Sequence, residues 1–147
     1  MANSTTKQTL DTRRAIERYA AVYGFDPELI GAIVAQESGG NPNALSSAGA
    51  KGTMQIFGNA PVADALRTGL LKSTPDMSTV NGQVEAGVAY LAYLRDHEKA
   101  PSLENLLMMY NGGPKMKGAA PNGTAADLAA YASSRTGKKF DGTQNAG

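Results

Sequence analysis

The chain has 147 residues, enough for one domain with a single core, and it carries one histidine, no cysteine, no tryptophan and 17 glycines. Without cysteine and with only His97 there can be no Cys/His zinc cluster and no Cys nucleophile, and a Ser-His-Asp triad would have to use that one histidine. Fourteen basic against 13 acidic residues give a formal net charge of +1, which argues against a nucleic-acid binder that works through a basic face.

The first residues, MANSTTKQ, are polar and lack the apolar stretch of a secretory signal, and no run approaches the roughly 18 apolar residues of a membrane span. Leu10, Ile16, Tyr19, Ala20 and Tyr23 recur at helical spacing, and Gly24 suits the stop. Asp26-Pro27 then starts a second helix, with Asp as N-cap and Pro at its first position, running through Leu29, Ile30, Ile33 and Val34 to about Glu37. From Gly39 to Gly58 the periodicity breaks. Gly39-Gly40-Asn41-Pro42-Asn43 is turn chemistry, residues 46–52 are dense in small side chains, and Thr53 to Phe57 is expected as a short strand. Helical signals return from about Pro61 to Leu71, and again from about Val80 to His97 with Val84, Val88, Leu91 and Leu94 as the apolar stripe. Ser102 caps a further helix through Leu103, Leu106, Leu107 and Tyr110, which Asn111-Gly112-Gly113-Pro114 ends. A last helix is expected from Ala125 to about Ser134 with Thr124 as its cap, followed by a loose polar tail over residues 137–147. There is no internal repeat, so residues 1–147 read as a single domain.

Glu37 is the residue that points to chemistry. Ile30, Ile33 and Val34 lie seven, four and three positions before it, so all four share one helix face. A carboxylate on a core-facing stripe is costly unless paired or neutral, and the negative end of the helix macrodipole disfavours it as well. Both effects raise its pKa toward the protonated state that a general acid needs for a glycosidic oxygen. The alternatives are that Glu37 caps the helix end or points sideways into solvent. A long irregular loop directly after such an acid is the kind of segment that carries function. In it, Gly49 and Gly52 allow close backbone approach, while Ser46 and Gln55 offer groups suited to sugar hydroxyls and acetamides.

The run Glu37-Ser38-x-x-Asn41-Pro42-x-Ala44-x-Ser46-x-x-Gly49-Ala50-x-Gly52-x-Met54-Gln55-Ile56 closely resembles the signature of the soluble lytic transglycosylases. Gly87-x-x-Tyr90-Leu91 and Tyr110-Asn111-Gly112-Gly113-Pro114 resemble that family's second and third motifs in the expected order, so the resemblance spans about Leu10 to Pro114. It implies a mainly α, lysozyme-like (α+β) domain: a helical bundle with a small irregular or short-strand lobe after the catalytic helix. It implies Glu37 as the catalytic acid and then base, Ser46 in contact with it and with substrate, Gln55 lining the cleft and Tyr110 near the carboxylate. Ser38, Met54, Phe57 and Asn111 belong with the substrate-binding residues, Asn111 in a more structural role.

The resemblance also implies a substrate, the β-1,4 bond between N-acetylmuramic acid and N-acetylglucosamine in peptidoglycan strands, a 1,6-anhydromuramoyl product, and no cofactor or metal. Thr53 stands where leucine is usual, Phe57 where methionine is common, Gln83-Val84 for Asn-Ile and Gly112 for alanine. The runner-up is a goose-type hydrolytic lysozyme, for which Asp64, Asp76 and Glu85 are the mid-chain candidates for a second carboxylate, each also suited to a solvated helix surface. A glycan-binding or structural protein without turnover is the reading from another class. His97, inside Arg95-Asp96-His97-Glu98-Lys99, reads as a solvated helix end, and Tyr90 and Tyr93 as core and flank. The expected setting is a bacteriophage product made in the host cytoplasm that acts on the cell wall, as an endolysin or a virion enzyme, monomeric alone or part of a virion assembly.

Overall fold

The computed structural model describes residues 4–120, 123 and 126–130. It is mainly helical, as expected: α1 (Ser4–Tyr23), α2 (Pro27–Ser38), α3 (Ala60–Arg67), α4 (Val80–Asp96) and α5 (Leu103–Gly112), then a short 3-10 turn at Pro114–Met116. Residues 126–130 are helical as well; the rest of the expected last helix and the polar tail lie outside the described residues.

The helix boundaries follow from local chemistry. α1 stops where Gly24 adopts a left-handed φ of 76° and the Phe25 N–H reaches back to the Ala20 carbonyl at 2.8 Å. The Asp26 carboxylate accepts the Glu28 N–H at 2.8 Å, Pro27 opens α2, and left-handed Gly39 closes it by donating to the Val34 and Ala35 carbonyls. α3 ends at Arg67, earlier than the expected Leu71, because left-handed Gly69 follows and the Thr68 hydroxyl donates to the Asp64 carbonyl at 2.8 Å. Ser102 accepts the Asn105 N–H as N-cap of α5. His97 is exposed just beyond α4, its ring stacked on Tyr93 with centroids 5.9 Å apart.

α4 is the axle of the molecule. Twelve of its 17 residues are buried, so it is covered on nearly all sides rather than along one stripe, and α1, α3 and α5 pack around it. The stripe Val84, Val88, Leu91 and Leu94 is fully buried and meets Ile30 and Ile33 of α2 and Leu106 and Met109 of α5 in one core. Asn81 donates to the Tyr19 hydroxyl at 2.8 Å, and the Tyr23 hydroxyl donates to the Leu70 carbonyl at 2.7 Å, tying α1 to α4 and to the segment after α3. At Gly87 any Cβ would overlap the Met54 side chain, so only glycine lets the loop after α2 seat on α4.

That loop, residues 39–59, forms the irregular lobe, and here one expectation is corrected. Thr53 to Phe57 is not a strand. Lys51 and Ile56 face each other as an isolated antiparallel bridge, with the Lys51 N–H to the Ile56 carbonyl at 2.9 Å and the reverse bond at 3.0 Å, and residues 52–55 form the turn between them. Gln55 at a left-handed φ of 53° and Gly52 at 85° break the extended path. The turn lets consecutive side chains Thr53 and Met54 both be buried, which the alternation of a strand on a one-sided sheet forbids.

Candidate active site

Glu37 sits in the last turn of α2, and its face is the one read from the sequence: Ile30, Ile33 and Val34 are all buried beneath it. The carboxyl is half-buried, and burial pushes its pKa up to about 7 from an ordinary 4.5. Among the described residues no basic group forms an ion pair with it. The acid therefore holds a proton in near-neutral solution and can release it there.

Glu37 opens onto a cavity of about 580 Å³, a size suited to a small ligand. The cavity brings together Glu37, Ser46, Gln55, Phe57, Tyr110 and Asn111 from the sequence-predicted set, drawn from α2, the irregular lobe and the end of α5. Ser46 and Ala50 are bonded reciprocally: the Ala50 N–H donates to the Ser46 hydroxyl and the Ser46 N–H to the Ala50 carbonyl, both at 2.9 Å. This closes the tight loop through Gly49 and fixes Ser46 on the wall. The Gln55 amide nitrogen donates to the Ala44 and Gly52 carbonyls at 3.1 and 3.0 Å, which orients its oxygen as the remaining acceptor. Phe57 is 61% exposed, a large apolar face presented at the rim.

Tyr110 is buried, and its hydroxyl donates to the Met54 carbonyl at 2.7 Å rather than to Glu37. Burial, then the nearby Glu37 charge, then Tyr90 raise its phenol well above the ordinary value, so it stays a neutral donor. Tyr90 packs at 5.8 Å from the Tyr110 ring and 6.0 Å from Tyr93, where it is stacked. Tyr90 is thus core, as expected, and at the same time part of the cavity wall.

Two members of the predicted set support the cavity instead of lining it. Met54 is fully buried against Gly87, so its side chain is out of reach of a ligand in the cavity, and its carbonyl is the anchor for Tyr110. The Ser38 hydroxyl donates to the Thr53 carbonyl at 2.6 Å and accepts the Gly40 N–H at 3.0 Å, clipping the end of α2 to the turn at residues 52–55. Asn111 lies inside α5, which runs on to Gly112 before Gly113 at φ 90° ends it.

Of the three mid-chain candidates for a second carboxylate, Asp64 is the one that the structure brings to the cavity. It reads as a helix-surface acid, yet Ala60, Pro61 and Asp64 form one face of α3 that lines the cavity. Arg67 donates to its carboxylate at 3.1 Å and to the Tyr93 hydroxyl at 3.3 Å. The signal was available: positions 60, 61 and 64 fall on one side of a helix. Asp76 instead accepts the Ser78 N–H and hydroxyl in an exposed turn, and Glu85 lies on α4 outside the cavity.

Residues 14–132 match the family profile described as "Transglycosylase SLT domain". The chain is also 33% identical, over 112 residues, to proteins named "Endo-type membrane-bound lytic murein transglycosylase A" from Salmonella typhimurium, Salmonella enteritidis and Salmonella choleraesuis. Each alignment covers 74% of this chain and 55% of the relative, so the chain spans about half the length of the curated relatives it matches. Among the described residues, no helix is long and apolar enough to cross a membrane.

Proposed function

The chain belongs to the transglycosylase SLT family, and on that premise we propose that it cleaves the glycan strands of peptidoglycan as a lytic transglycosylase. The observation that carries this reading is the half-buried Glu37 carboxyl, with its pKa near 7, in a cavity that also presents the neutral hydrogen-bonding groups of Ser46, Gln55 and Asn111 and the aromatic rings of Phe57, Tyr90 and Tyr110.

The proton bookkeeping needs no second catalytic residue. Protonated Glu37 donates to the β-1,4 glycosidic oxygen between N-acetylmuramic acid and N-acetylglucosamine, and the bond from that oxygen to the muramic anomeric carbon breaks. The C6 hydroxyl of the same muramic residue attacks that carbon, and the Glu37 carboxylate takes the hydroxyl proton. The carboxyl is regenerated, a 1,6-anhydro ring is formed and no water is consumed. A group with a pKa near ambient pH is suited to both halves. Ser46, Gln55 and Asn111 supply hydrogen bonds to hydroxyls and acetamides, and Phe57 an apolar face for a sugar ring. Digestion of purified sacculi is expected to release muropeptides lighter by one water than their hydrolytic counterparts, read by mass spectrometry.

A hydrolytic reading draws support from Asp64, a second carboxylate on the same cavity that could orient a water. Reducing muramic ends in the same digest would establish hydrolysis and overturn the transglycosylase reading. Asp64 is held by Arg67, which favours a wall role for it over activation of water. We extend the proposal to a bacteriophage setting, as a compact wall-cutting domain used in lysis or infection. The chain is then expected among the proteins of purified phage particles or of phage lysates by mass spectrometry, and its absence from both counts against that setting.

A further inference from the structure

On the other side of Ile56 and Phe57 from Glu37 lies a second groove, larger than the first at about 780 Å³. Ile56 and Phe57 line both, so the groove continues the cleft around the irregular lobe. Its chemistry differs from that of the cleft. The cleft holds two carboxylates, Glu37 and Asp64, beside one lysine, Lys115, whereas among the described residues no acid lines the groove and Lys51 is its one charged residue. The Lys51 side chain is exposed and makes no ion pair among the described residues. Asp76, which adjoins the groove residue Met77 along the chain, is occupied by Ser78 at 2.6 and 3.0 Å. Of the four large hydrophobic residues that stand exposed among the described residues, two, Leu45 and Phe57, line this groove, while Leu10 and Val22 lie on α1. Asn43 and Asn59 add amide donors and acceptors.

We propose that this groove binds the short acidic peptide that a muramic residue of the substrate strand carries, with Lys51 facing its carboxylates, Asn43 and Asn59 its amides, and Leu45 and Phe57 its alanyl methyls. The inference rests on the transglycosylase reading for its substrate. An apolar wall with a single cation and no acid matches a peptide of small side chains and free carboxylates better than it matches a neutral run of sugar hydroxyls. The shared wall places that peptide beside the strand held at Glu37.

Two measurements test it. Lys51→Glu is expected to lower kcat/KM on peptide-bearing strands by about three- to five-fold, while activity on strands stripped of peptide by an amidase is unchanged. Loss on both substrates alike, or on neither, overturns the proposal. Separately, titration of the ¹⁵N-labelled wild-type chain with the free murein tetrapeptide is expected to shift the amide signals of Asn43, Lys51 and Asn59. If those signals stay fixed, or move only with a chito-oligosaccharide, the groove is not a peptide site. The titration needs no turnover: an inactive wild type would sink the transglycosylase reading, and the titration would still decide the groove.

Discussion

Glu37→Gln is expected to slow glycan cleavage by about 10²–10⁴-fold, the contribution of a positioned general acid, while leaving the fold intact. Glutamine matches the protonated acid in size and shape but cannot give up a proton to the glycosidic oxygen. The wild-type pH profile follows from the same group. With a pKa near 7 in the free protein, kcat/KM should fall as pH rises above about 7, because the fraction of protonated Glu37 falls.

Stability supplies an independent check. The folded chain holds the Glu37 proton up to about pH 7, whereas the unfolded chain loses it near 4.5. The folded state therefore binds more protons between those values, and stability declines as pH rises across that window. The contribution is fully present below pH 4.5 and lost as pH passes about 7. Glutamine does not titrate, so the melting temperatures of variant and wild type should coincide near pH 4.5 and diverge in the variant's favour by pH 8, as followed by circular dichroism. A variant that clears cell walls as fast as wild type would remove Glu37 from the chemistry. A wild type with no cleavage to lose would leave a glycan-binding domain.

Gln83→Ala should give the largest loss of stability, about 3 kcal/mol, because it strips partners from several buried polar groups at once. The Gln83 side-chain oxygen accepts from the Thr53 N–H at 2.8 Å and from the Thr53 hydroxyl at 2.7 Å. Its nitrogen donates to the Pro42 and Met77 carbonyls at 3.2 and 3.1 Å. Thr53 is fully buried and Gln83 is 8% exposed, so water cannot readily take over these bonds. A loss of that size corresponds to a fall in melting temperature of roughly 10 °C for a chain of this length.

Activity should fall too, measured below the variant's own melting transition. The turn that Gln83 holds carries the Thr53 carbonyl that receives Ser38 and the Met54 carbonyl that receives Tyr110. Ser38 adjoins Glu37, and Tyr110 lies close enough to feel its charge. A melting temperature within about 2 °C of wild type would mean that the four bonds are replaced by solvent at little cost. Thr53 and Gln83 are two of the positions at which the chain departs from the pattern it resembles. In this chain the two are bonded to each other, and a leucine at 53 would leave the Gln83 oxygen without its hydroxyl partner.

Features set within one or two helical turns are legible in the residues alone. Asp26-Pro27, Gly24, Gly39 and Ser102 place helix ends through bonds that span five residues or fewer. The apolar spacing before Glu37 put that carboxyl on a buried face, and its raised pKa follows from that burial. The remaining features depend on contacts at long range. Met54 reads as a cleft residue from its place in a motif, but packing against Gly87 turns it inward. Residues 53–57 have the composition of a strand, yet the chance to bury both Thr53 and Met54 against α4 goes with a turn at residues 52–55. Gln83 is 30 residues from Thr53, and Asp64 reaches the wall opposite the lobe only because α3 packs on α4. Capping and periodicity are encoded between neighbours, whereas which polar group meets which across the core depends on how the helices pack.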